Sequence, residues 1–185
     1  MNNKSLIKKV KNLPVPILPT MVGAFTLSNV YSGMGYTWIR HITAWAAIAV
    51  ILSYILKICF HFDTVKKEYS NTIPASLYAG FTMLTMILGS YFYNASPVFG
   101  KTLWFVGLIL HAIQILVFTY NNVIKNFNMQ TFLPSWFVTY NGIMVSTVVG
   151  GVMNEPLIGK IVVYYGIAVF TFHYVSIKSY GTDNH

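Results

Sequence analysis

Six long apolar runs dominate the chain, at 14–33, 38–60, 74–93, 99–120, 132–152 and 157–177, with short polar stretches between them. Each is close to the roughly 20 residues an α-helix needs to cross the hydrocarbon of a bilayer. The short connections make neighbouring segments antiparallel. Pro14, Pro74 and Pro134 fall at equal intervals, each opening a segment rich in small residues, and each such segment is followed by a greasier one. A fixed interval of this size marks a repeated unit. Here the unit is a helical hairpin, repeated at 14–60, 74–120 and 132–177. The pattern predicts an all-α membrane protein: six transmembrane helices in three hairpins over 14–177, between tails at 1–13 and 178–185.

Odd and even segments differ in chemistry. The odd ones begin with proline, which fits a first helical turn where a missing N–H costs nothing. In the fifth, Ser135, Thr139, Gly142, Ser146 and Gly150 advance by four, three, four and four positions, one narrow face at 3.6 residues per turn. In the third, Ala75, Ala79, Thr82, Thr85 and Gly89 form a wider stripe. The even segments are bulkier, as at 47–56 and 103–110, and suit lipid contact. A small-residue face on one helix most simply lets another backbone approach closely. Its recurrence on every odd segment predicts an inner ring of odd helices enclosed by even ones. The pore-lining candidates are then Gly23, Thr82, Thr85, Gly89, Ser135, Thr139, Gly142 and Ser146.

Composition agrees with lipid exposure. Residues are 55% hydrophobic and 9% charged, where a soluble domain carries about a quarter charged. The net charge of +8 does not indicate nucleic acid, because the cations lie between apolar segments rather than on one face. They set orientation instead. Lys4, Lys8, Lys9, Lys11, Lys57, Lys66, Lys67, Lys125 and Lys178 fall on one side, and Arg40, Lys101 and Lys160 on the other. The positive-inside rule puts both termini in the cytoplasm of a plasma-membrane protein, with Lys57 snorkelling to the cytoplasmic surface. The N-terminal lysines do not head a signal peptide, since Pro14, Pro16 and Pro19 interrupt the run and no small-x-small cleavage site ends it. Cys59, the single cysteine, reads as a buried small apolar residue.

Candidate chemistry is sparse. Asp63 and Glu68 fall in a loop, Glu155 at a turn and Asp183 in the tail, so no carboxylate lies inside a segment. Cation pathways and carboxylate proton relays need one at depth. Hydroxyls, with helix N-termini on the lysine-rich side, favour anions. His111 is the one ionisable group near mid-membrane, with Gln114 one turn away. It reads either as a functional group or as a neutral imidazole hydrogen-bonded to a neighbouring helix, the more ordinary role. Of the other histidines, only His61 and His173 sit at matching depth for a bis-histidine haem, and both are near loops; His41 is on the opposite side. No protease, hydrolase or phosphate-loop motif is present. The reading therefore assigns no catalytic residue, metal or cofactor.

Four segments carry a resemblance: LPVPILPTMVGAFTLSNV at 13–30, IPASLYAGFTMLTMILGSYF at 73–92, LWFVGLILHAIQILVF at 103–118 and LPSWFVTYNGIMVSTVVGG at 133–151. Together they resemble the tellurite-resistance/dicarboxylate transporter family, related to slow-type anion channels. His111 falls on that family's recurring histidine of the fourth helix, after the Trp104 and Gly107 positions. The resemblance implies a fold of five hairpins, odd helices around a pore, even ones outside, and trimers with one pore per subunit. The family's phenylalanine gate lies on a ninth helix, and neither Phe25 nor Phe81 occupies its position. The chain corresponds to the first six helices, which implies a truncated transporter, a fragment or one half of a split protein. The expectation is an anion transporter or channel in the lipid bilayer, for the dicarboxylate, tellurite or halide class, as a homo-oligomer or with a complementary C-terminal half. The alternatives are a non-transporting membrane scaffold and a haem-binding membrane protein.

Overall fold

The computed structural model describes residues 9–125 and 135–182, with side chains described as far as residue 172. Among them the chain is helical and contains no strand. Four helices are long and apolar enough to cross a membrane: Thr37–Phe60, Thr72–Tyr93, Pro97–Lys125 and Ser135–Met153. They form the second to fifth segments. The first is the helix Ile17–Gly33, of 17 residues, and the sixth is the helix Pro156–Thr182, apolar over Pro156–Phe172.

Proline placement follows from the orphan N–H groups of a helix start. Pro19 and Pro74 occupy first turns, and Pro97 and Pro156 are first residues. Proline therefore opens even segments as well as odd ones. Pro134 lies outside the described residues. Pro14 precedes its helix, and its carbonyl accepts from the Tyr54 hydroxyl at 2.9 Å. The 61–73 connection is itself helical, at Phe62–Tyr69. Gly35, at φ 99, makes the turn between the first two segments, a left-handed conformation that glycine adopts without strain.

Third and fourth segments pack most closely. A Cβ on Gly89 would stand 2.6 Å from the Trp104 nitrogen, and one on Gly107 2.7 Å from Met86 Cγ, so glycine lets the two backbones meet. The third segment also packs on the first and on the fifth; the first and fifth share no comparable contact. The odd segments thus form an open arc with the third at its centre. In the central windows, 67% of the third and 44% of the fifth segment are buried, against 22% of the second and 28% of the fourth. The third and fifth segments are thus more buried than the second and fourth, whereas the first buries only Leu18, Val22, Phe25 and Ser28 of its 17 residues. The outer faces expose Trp45, Leu52, Ile109 and Leu116, which water would penalise and lipid accommodates.

The fifth segment is not one continuous helix. It runs as Ser135–Asn141, then a 3₁₀ turn at Gly142–Met144, then Val145–Val149, then a 3₁₀ turn at Gly150–Met153. Asn154 closes it in the left-handed conformation at φ 55. The tighter turns disturb the even face expected from 3.6-residue periodicity. Cys59 is exposed rather than buried.

Candidate functional site

His111 is fully buried where the third, fourth and fifth segments meet. Its Nε2 lies 2.9 Å from the Thr139 carbonyl, which only accepts, so Nε2 carries a proton. Its Nδ1 lies 2.6 Å from Thr82 Oγ1. In the neutral ring, Nδ1 accepts from that hydroxyl, whose one proton the Ala79 carbonyl at 2.9 Å also competes for. A Cβ on Gly142 would come 2.7 Å from His111 Cε1, so the glycine makes room for the ring. Gln114 Nε2 reaches the Ala75 carbonyl at 3.4 Å, and Thr139 Oγ1 donates to the Ser76 carbonyl at 3.3 Å. The intramembrane polar pair is thereby tied across three segments by backbone acceptors.

The remaining predicted residues divide in two. Thr85 is buried and donates to the Phe81 carbonyl, and Gly89 meets Trp104. Ser146 accepts the Trp104 indole N–H on its carbonyl at 3.1 Å, while its own Oγ, like Ser135 Oγ, is buried with no partner among the described residues. Gly23 is different: it is exposed, with nothing within 4 Å of an added Cβ. No group of three or more metal-ligating side chains occurs among the described residues. The haem reading needs the His173 side chain, which lies outside them.

At the ends of the odd segments nearest Gly35 is a cavity of about 500 Å³, whose lining combines Thr26, Asn29, Ser32, Arg40, Ser90 and Gly151 with four valines of the first and fifth segments. Three odd segments and one cation meet there, and none of its lining residues is a carboxylate. The Arg40 guanidinium sits 5.5 Å over the Tyr91 ring, and the Tyr91 hydroxyl meets His41 Nδ1 at 2.8 Å. Arg40 Nε and Asn29 Oδ1 are buried and have no hydrogen-bond partner among the described residues. Of the two, Nε is a donor and Oδ1 an acceptor; an unpaired buried polar group costs about 1–3 kcal/mol, and a guanidinium is a group suited to contact with anions. Arg40, Asn29 and Asn141, whose side-chain amide is also buried with no partner among the described residues, are absent from the sequence-based candidates. Arg40 did leave a signal, as one of two Lys/Arg residues within the second segment.

At the opposite end, Lys57 does not snorkel outward. It is fully buried; Nζ donates to Glu68 at 2.8 and 2.9 Å and to the Leu13 carbonyl at 2.8 Å. The Tyr78 hydroxyl donates to the same carboxylate at 2.6 Å. The helix Phe62–Tyr69 carries Glu68 back over the second segment, and an ion pair costs less than an unpaired buried ammonium.

No curated protein matches this chain. Residues 18–177, spanning all six segments, match a family of voltage-dependent anion channels, SLAC1. With its helical hairpins, lipid-facing apolar surface and cation-bearing cavity, the chain is an integral membrane protein that belongs to the voltage-dependent anion channel (SLAC1) family.

Proposed function

We propose that this protein conducts small anions, of the halide, dicarboxylate or tellurite class, by passive or potential-driven permeation. The observation that carries the reading is the cavity between the odd segments, where Arg40 and the side chains of Thr26, Asn29, Ser32 and Ser90 gather without a carboxylate. A positive cleft concentrates anions, and hydroxyl and amide donors replace part of an anion's hydration shell. The pathway runs from this mouth along the Asn29, Thr26 and Gly23 face of the first segment. Thr82, Thr139, Gly142 and Ser146 support it from behind through His111 and Trp104.

Both termini are cytoplasmic and the cavity opens outward across the plasma membrane. The cation asymmetry supports this, and one lysine on each side, Lys57 and Lys101, is neutralised by a glutamate. The open side of the arc, between the first and fifth segments, is closed by further helices. These come from self-association, as in the trimer that the family resemblance implies, or from a complementary polypeptide.

Chloride and malate flux in liposomes tests the reading. Vesicles holding the conducting assembly should pass anions over cations, and Arg40→Gln should lower the flux by about tenfold. Unchanged flux in a folded Arg40→Gln protein would remove the cavity from the pathway. A second reading, a non-transporting scaffold, draws on the packing of Gly142 and Gly150 against His111 and Trp104. Silence of every assembly, including one co-reconstituted with a complementary polypeptide, would favour it.

A further inference from the structure

A second cavity lies away from the odd segments. It has a volume of about 540 Å³ and sits between the connecting helix Phe62–Tyr69 and the end of the fourth segment. Lys66 and Lys125 approach it from its two walls, with Asn121 and Tyr69 beside them. Its lining residues include no carboxylate. Two ion pairs occur among the described residues, Lys57–Glu68 and Lys101–Glu155, and neither cavity lysine takes part in them. Glu68, the nearest acid in sequence to Lys66 on the helix's far side, is held by Lys57 and Tyr78.

The donors around this space have little else to bind. The Tyr69 hydroxyl makes no hydrogen bond among the described residues; like any phenol it is a protonated donor at neutral pH, and burial pushes its pKa up further, to about 12. Asn122 is occupied, accepting from Thr72 Oγ1 at 2.9 Å and donating to the Phe118 carbonyl at 3.1 Å, which leaves Asn121 as the amide facing the space. The fourth segment ends here in a π-helical turn, Tyr120–Lys125, a distortion that a straight helix avoids and that recurs at functional sites. Phe62, which lines the cavity, is exposed, as are Tyr120 and Ile124 on the π-helical turn that carries Lys125. Two ammonium groups and neutral donors on elements that also expose large apolar side chains match an amphiphile whose head is anionic and whose tails lie against the protein.

We infer that this cavity binds the phosphate of an anionic phospholipid headgroup, gripped between Lys66 on the connecting helix and Lys125 on the fourth segment. The bound lipid clips these two elements together at the membrane surface. The free phosphate dianion shares the headgroup chemistry but lacks the acyl chains that Phe62 and Ile124 would contact.

The test reconstitutes the full chain in phosphatidylcholine vesicles doped with phosphatidylglycerol, extracts it in mild detergent and measures the retained lipid by mass spectrometry. Wild-type protein should retain phosphatidylglycerol preferentially. Neutralising Lys66 and Lys125 together, as Lys66→Gln with Lys125→Gln, should reduce retention, by about fivefold for each lysine. The pair Lys66→Arg with Lys125→Arg should keep it, which guards against misfolding as the cause of loss. Lys9→Gln with Lys11→Gln removes two exposed cations elsewhere and should leave retention unchanged. Equal loss in both glutamine pairs would show general surface attraction and overturn the site. Displacement of the lipid by inorganic phosphate alone, with no dependence on acyl chains, would overturn the lipid as its occupant.

Discussion

At the scale of single residues, His111 and Gly142 illustrate how a polar group is tolerated at depth. The imidazole spends both nitrogens on neighbouring segments, and glycine opposite leaves space for the ring. His111→Ala would strand the Thr139 carbonyl and open a cavity, leaving the Thr82 hydroxyl to the Ala79 carbonyl, so thermal unfolding in detergent should show a loss of about 1–3 kcal/mol. Gly142→Leu would overpack the same spot and should cost about as much, whereas Gly23→Leu meets open space and should leave stability unchanged. If Gly23 lines the pathway, that folded variant should still lose anion flux in liposomes. A stable Gly142→Leu protein would show that the fifth segment yields where the third and fourth meet it.

At the scale of elements, the buried Lys57–Glu68 pair joins the connecting helix to the second segment, and Tyr78 brings in the third. Lys57→Met leaves Glu68 without its cation. Removing one partner of a buried pair costs about 3–5 kcal/mol; Glu68 keeps 26% of its side chain exposed, so the lower end of that range is expected. Lys57→Met with Glu68→Leu should recover most of the loss, since two apolar side chains leave no charge to solvate. Thermal unfolding of the three variants checks this, and a double variant no better than the single would show that the Leu13 carbonyl and Tyr78 matter more than the charges.

At the scale of the molecule, topology and closure of the arc are the open measurements. In a Cys59→Ser background, Val98→Cys should react with a membrane-impermeant maleimide from outside intact cells. Val98 suits this, being 79% exposed, whereas the neighbouring Gly100 is packed on Tyr93 and Gly89 and admits no side chain. Labelling only after permeabilisation would invert the orientation. The oligomeric state in mild detergent tests closure. A monodisperse monomer with full anion flux would show that the open arc conducts unaided, contrary to the arrangement proposed above.

The residues by themselves determined the helical class and the hairpin grouping, because a bilayer demands apolar runs of fixed length and leaves little freedom in how adjacent runs connect. They also determined that third and fifth segments are more buried than second and fourth, since small residues admit neighbours and large apolar ones are satisfied by lipid. The family was legible for the same reason, its motifs lying inside those runs. Local pattern could not say which object each small residue faces. Gly142 and Gly150 meet His111 and Trp104, while Gly23 meets open space, and periodicity treats all three alike. The pairing of Lys57 with Glu68 and the gathering of Arg40, Asn29 and Ser90 were likewise invisible along the chain. Those contacts join residues on different helices, and only the packing of one helix against another brings them within reach.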